Sequence, residues 1–125
     1  MKIAVIPNLD KRDADTYTRE ILAVLQENGA ETLMHEKHRG QYEHVTFCKN
    51  HAALAESCDL IVAVGGDGTI IHTAKHASVA GKPILGVNLG RLGFLAGVEK
   101  DELHKLKVLF TGDYRVRRLM MLSVT

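Results

Sequence analysis

Disulfides are the first thing missing. Two cysteines in 125 residues, Cys48 and Cys58, cannot supply the framework that staples small secreted domains, so both read as small apolar residues kept reduced. A charge excess of one sign is also absent. Sixteen Lys+Arg stand against fifteen Asp+Glu, a formal charge of +1, which leaves no electrostatic footprint for nucleic acid or an anionic membrane. No apolar run approaches the roughly 20 residues of a membrane span. Met1-Lys2 leads straight into Ile3-Ala4-Val5-Ile6 rather than into a signal-peptide pattern, and a cytoplasmic protein is expected. Two familiar phosphate loops are missing as well: there is no G-x-x-x-x-G-K-[ST] and no G-x-G-x-x-G.

What remains is the composition of an ordinary globular domain, 46% hydrophobic and 25% charged. A chain of this length buries roughly two thirds of the surface its unfolded form exposes, so a core is feasible without metals. The pattern alternates strands with helices. Lys2 to Ile6 is a short apolar strand, and Asp13 or Asp15 is a candidate N-cap for a helix carrying Tyr17, Ile21, Val24 and Leu25. Asn28-Gly29 stops that helix. Glu31 to Glu36 reads as a second strand, Lys37 to Tyr42 as a loop, and Ala52 to Ser57 as a short helix. Asp59 to Val64 is apolar after its first residue and rich in β-branched side chains, as expected of a strand covered on both faces. A helix with Ile70, Ile71, Ala74 and Ala77 on its apolar face follows and ends at Gly81. Ile84 to Val87 is another buried strand, and Lys100 or Asp101 begins a helix with Leu103, Leu106 and Phe110, closed by Gly112. The expected architecture is a doubly wound, mostly parallel α/β sheet with ligands beyond the carboxyl ends of its strands.

Both glycine-rich segments fall at such ends. Gly65-Gly66-Asp67-Gly68-Thr69 lies between a buried strand and a helix, where its glycines can adopt backbone angles closed to other residues and let a ligand approach the main chain. The helix N-terminus behind it suits phosphate. Asp67 departs from an ordinary phosphate loop, since an acid there is unfavourable unless it binds a cation or handles a proton. Phosphoryl transfer to an alcohol needs such a group, with Mg²⁺ offsetting the phosphate charge. On context alone, a tight turn with Asp67 capping the helix is the alternative. The second segment is Asn88-Leu89-Gly90-Arg91-Leu92-Gly93-Phe94-Leu95, too glycine-rich for a helix and too apolar for an exposed turn. The run His35, His38, His44, Cys48, His51 gathers borderline metal ligands but lacks the paired spacings of zinc sites. It reads as a polar loop and helix start on the surface, and no metal site is expected.

The two glycine-rich elements at this separation resemble the ATP-dependent NAD kinase family. The first alone is shared with diacylglycerol and sphingosine kinases and, loosely, with phosphofructokinases; the second is far more specific. The resemblance implies that Asp67 accepts the proton of the NAD 2′-hydroxyl and that Gly65, Gly66, Gly68 and Thr69 form the nucleotide loop. It implies also that His72 is the basic residue of the following helix, that Asn88 holds the second loop, and that Phe94 lines the adenine pocket. Arg91 reaches a phosphate or stays solvated. NAD and ATP, or polyphosphate, would be the substrates, with Mg²⁺ accompanying ATP, and the full-length protein is expected to be a homo-oligomer. The family's Asn-Glu or Asn-Asp motif belongs to a β-rich second domain and is missing here. The expectation is therefore a nucleotide-binding domain over residues 1–117, with 118–125 the start of the second domain and residues 1–125 inactive alone. Two rivals stay open, a lipid kinase of the diacylglycerol kinase type and a module that senses NAD or NADP without chemistry.

Overall fold

A computed structural model describes residues 1–89, 98–99 and 103–110. Six strands form one parallel sheet: β1 (Lys2–Pro7), β2 (Glu31–His35), β3 (Thr46–Cys48), β4 (Leu60–Gly65), β5 (Ile84–Asn88) and β6 (Val98–Glu99). Their order across the sheet is β3-β2-β1-β4-β5-β6, and every pair is parallel. From β1 the chain steps outward to β2 and β3, then returns to lay β4, β5 and β6 on the other side. The order of winding reverses between β1 and β4, which leaves an open crevice beyond their carboxyl ends.

Strand alternation divides the core in two. Ile3 and Val5 of β1, with Leu60, Val62 and Val64 of β4, face helix α1 (Ala14–Glu27) and the 3-10 segment Leu103–Phe110, where Ile21, Leu25, Leu103 and Leu106 meet them. Ala4, Ile61 and Ala63 face α2 (His51–Ser57) and α3 (Asp67–Ala80) through Leu54, Ile70 and Ala77. Every residue of β4 is buried, so its unbroken apolar run reflects a strand with helices on both faces. The doubly wound parallel sheet expected from the sequence is present.

Several local details differ from the sequence reading. β3 was read as part of a polar loop, because three residues are too few to show a period; it pairs with β2 through Met34↔Phe47. β6 is a two-residue strand that carries no signal of its own. Lys37 to Tyr42 begins within a 3-10 turn over Glu36–His38 and closes with a bridge between Arg39 and Tyr42. Asp13 does sit at the start of α1, but in the left-handed region (φ 60°) and without a side-chain cap bond. Asp15, inside the first turn, spends its carboxylate on Tyr42 Oη (2.9 Å) and Arg19 Nε (3.1 Å). The Arg19 hydrogen bond, then that of Tyr42, holds the Asp15 pKa below the usual carboxylate range, and burial followed by the Asp15 bond pushes Tyr42 up to about 12. Ile71 is half exposed rather than part of the apolar face of α3. The expected helix at Lys100 or Asp101 is a 3-10 segment from Leu103 to Phe110. Arg91, Phe94, Gly112, the boundary at 117 and the expected start of the second domain over 118–125 lie outside the described residues.

Candidate active site

β4 ends at Gly65, Gly66 occupies the N-cap position of α3, and Asp67 is the first residue of that helix. None of Gly65, Gly66 and Gly68 is among the residues with positive φ, so left-handed backbone geometry is not the reason for the glycines. Close approach explains Gly65. A Cβ there would lie 2.7 Å from Thr69 Oγ1, 2.9 Å from Thr69 Cβ and 3.2 Å from Asn8 Cβ, so α3 can start this near the end of β1 only above a glycine. Gly66 has room for a side chain, with the Lys11 Nζ 3.6 Å away as its nearest neighbour, and Gly68 faces open space.

Main-chain bonds then draw three strand ends together. The Asn8 N–H donates to the Val64 carbonyl at 2.8 Å, and the Leu89 N–H donates to the Gly65 carbonyl at 3.0 Å. Asn88 is buried and stands in register with Gly65 across the β4–β5 pair. The two glycine-rich elements, twenty-odd residues apart in sequence, are thus joined at their first residues.

A crevice of about 520 Å³ opens at the point where the winding reverses. Its floor is the end of β1 (Ile6, Pro7, Asn8) and the start of α3 (Gly66, Gly68, Thr69), and His72 and Thr73 from the next turn of α3 extend it. Lys11, Lys37 and His51 complete the lining. Two lysines and two histidines therefore face the cavity. The Thr73 hydroxyl is buried, lines the crevice and has no hydrogen-bond partner. An oriented helix N-terminus, two lysines and a hydroxyl unsatisfied among the described residues suit an anionic ligand with several oxygens.

Of the residues read from the sequence, Gly66, Gly68, Thr69 and His72 line this crevice, Gly65 lies beneath it, and Asn88 lies one strand to the side. Phe94 is outside the described residues. Asn8 and Lys11 of the loop after β1, Lys37 and Thr73 carry no signal in the sequence, since they come from three separate segments and only the fold gathers them.

The histidine-rich run also needs correction. His38 is buried rather than on the surface, and burial lowers its pKa. His35 and His51 are drawn into a string with two histidines of α3: ring centroids are 4.9 Å apart for His35–His51, 5.2 Å for His51–His76 and 5.4 Å for His72–His76. Among the described residues no group of three His, Cys, Asp or Glu is arranged to hold a metal ion. Cys58 is buried, which pushes its thiol pKa up, and Cys48 is partly buried.

Among the described residues no helix is long and apolar enough to cross a membrane. Residues 3–114 match the family model of the ATP-NAD kinase N-terminal domain. The chain is 34% identical over 123 residues to the NAD kinase of Caldanaerobacter subterraneus subsp. tengcongensis, a match covering 98% of this chain and 44% of that protein. With the NAD kinase of Heliobacterium modesticaldum it shares 54% identity over 66 residues, 52% of this chain and 23% of the relative. In three dimensions it is similar to yeast NADH kinase solved in complex with NADH, with a TM-score of 0.71 and 19% identity over 88% of this chain and 37% of that one. This last likeness is one of fold. The chain spans less than half the length of these curated relatives.

Proposed function

The chain belongs to the ATP-NAD kinase N-terminal domain family, and we propose that it forms the phosphate-handling half of an enzyme that makes NADP. In this reading the 2′-hydroxyl oxygen on the adenosine ribose of NAD attacks the γ-phosphorus of ATP, the bond from that phosphorus to ADP breaks, and Asp67 takes the hydroxyl proton. Mg²⁺ enters with ATP as part of the donor and offsets its phosphate charge; polyphosphate could replace ATP without changing the roles of these residues.

The observation that carries the reading is the crevice at the winding reversal. The GGDGT loop meets the end of β1 there, and the Leu89 N–H ties the second glycine-rich element to the Gly65 carbonyl. Donor phosphates would lie over the amides of Gly66, Gly68 and Thr69, with Lys11 and His72 as neighbours. The acceptor would approach from the Asn88 side, with Phe94 against its adenine. Asp67, at the first position of α3, stands at the junction of the two. Phosphoryl transfer asks a protein mainly for in-line positioning and electrostatic stabilisation, and a base at that junction orients the hydroxyl and accepts its proton.

A coupled assay for NADP formation tests the proposal. The full-length protein with NAD and MgATP should turn over, while residues 1–125 alone should not, since the second domain supplies the remainder of the ribose grip. No NADP from the full-length protein with either ATP or polyphosphate would refute it.

A further inference from the structure

His72 apart, the histidine string has no part in the reaction just described, yet it forms one wall of the same crevice. His35 ends β2, His51 begins α2, and His72 and His76 lie one turn apart on α3. His51 and His72 face the cavity beside Lys37 and Lys11, while His76 links the two rings from behind. The groups bearing on His51 are His35 from β2, Lys37 from the 3-10 turn, and His72 and His76 from α3. None is acidic. The two ion pairs among the described residues, Arg12–Asp13 and Arg19–Asp15, lie elsewhere. A proton on His51 therefore meets other imidazoles and a lysine rather than a carboxylate among the described residues, which raises the cost of charging it in the empty protein. The His35 Nδ1 is already committed as acceptor of the Lys37 N–H at 3.0 Å.

We propose that this string is a proton-charged wall for phosphate: an anionic phosphate chain entering the crevice binds together with a proton taken up by His51, which faces the cavity in ring contact with His35 and His76. The proposal rests on the reading of the crevice as a phosphate-donor site. The phosphate chain supplies a counter-charge that none of the groups bearing on His51 supplies, and the Thr73 hydroxyl, unpartnered among the described residues, adds a donor on the same wall. In the empty protein burial, and then the neighbouring His35 and His76, holds the His51 pKa down to about 4, so His51 is uncharged at neutral pH until an anion arrives. Binding and protonation are then linked, and affinity rises as pH falls.

The test is calorimetric titration of the full-length protein with tripolyphosphate at about pH 6 and about pH 8, in two buffers of different ionisation heat. The expected result is binding about tenfold tighter at the lower pH, which requires the phosphate chain to lift the His51 pKa from about 4 to about 7 in the complex. Uptake should exceed that of the double variant His51→Gln/His76→Gln, which reports the proton the ligand itself carries. Equal affinity at both pH values in the wild type, or a proton count unchanged in a double variant whose circular dichroism is normal, would overturn the proposal. NAD binding measured alongside separates the two readings. If NAD binds while tripolyphosphate binds without pH dependence or not at all, the histidine proposal falls and the kinase reading stands; if neither binds, both fall.

Discussion

The two walls of the crevice are built in opposite ways. The glycine wall comes from one stretch, Gly65 to Thr69, carried on the all-buried strand β4 and braced by main-chain bonds to Asn8 and Leu89. The histidine wall is assembled from β2, α2 and α3, and its members touch only because the sheet sets those elements side by side. In the first, geometry is fixed by backbone and by a forced close approach. In the second, burial and then the neighbouring imidazoles hold the charge of His51 down, so its state changes with pH. A binding site can thus divide its labour, one wall holding position and the other supplying adjustable charge.

Four experiments would break or sharpen that contrast. The largest effect is expected at Asp67. Asp67→Asn in the full-length protein should lower turnover about 10²-fold or more at saturating substrates, with NAD affinity and thermal midpoint little changed, since a general base contributes roughly 10²–10⁴. Near-normal turnover would remove it from the chemistry. Gly65→Ala should act through packing. The new methyl would press on Thr69 Cβ at 2.9 Å, which no rotation of the Thr69 side chain relieves, and overpacking of this kind costs roughly 1–3 kcal/mol. Chemical denaturation would detect it, and Gly68→Ala, which faces open space, should show no comparable steric penalty.

The histidine wall should reveal itself through pH. Its His51 has a folded-state pKa of about 4 against an ordinary 6.5, so the unfolded chain binds the extra proton first. The stabilisation is full above pH 6.5 and is lost as pH falls from 6.5 toward 4. The loss should be on the order of 2 kcal/mol after allowance for partial exposure. His51→Gln should flatten that part of the stability profile, and an unchanged slope between the two proteins would mean that the string is not under electrostatic tension. The smallest effect concerns metal. One equivalent of zinc should leave the thermal midpoint unmoved, because no three ligands converge among the described residues. A stabilisation reversed by chelator would show that the rings can rearrange around an ion.

Much of the glycine wall was legible because its information is contiguous. The apolar run of β4, the glycine loop and the Ile70 and Ala77 pattern of α3 lie within one segment, and the separation to Asn88 is fixed by a single helix and strand. The alternation of strands and helices was enough to give the doubly wound sheet. What stayed hidden was short or non-local. Thr46–Cys48 is too brief to show a period of two, and its pairing with β2 depends on tertiary contact. Lys11, Lys37 and Thr73 carry no motif, and their shared role exists only where the winding reverses. The histidines were visible as a run from His35 to His51, yet the rings that complete the string, His72 and His76, lie on a helix more than twenty residues further on. Nothing in that run shows that His38 is buried. The role of Gly65 was misread for a related reason: a requirement for glycine was evident, but whether it came from φ or from Thr69 and Asn8 needed coordinates.

The central claim is that one crevice at the winding reversal receives the phosphates, with the acceptor beside it. Amide NMR of the full-length protein during titration with MgATP and then NAD tests it most directly. The account predicts that the amides of Gly66 to Ile70 shift with both ligands and that those of Asn88 and Leu89 shift chiefly with NAD. If both ligands bind and leave Gly66 to Ile70 unmoved, the crevice is not the phosphate site and the account is wrong.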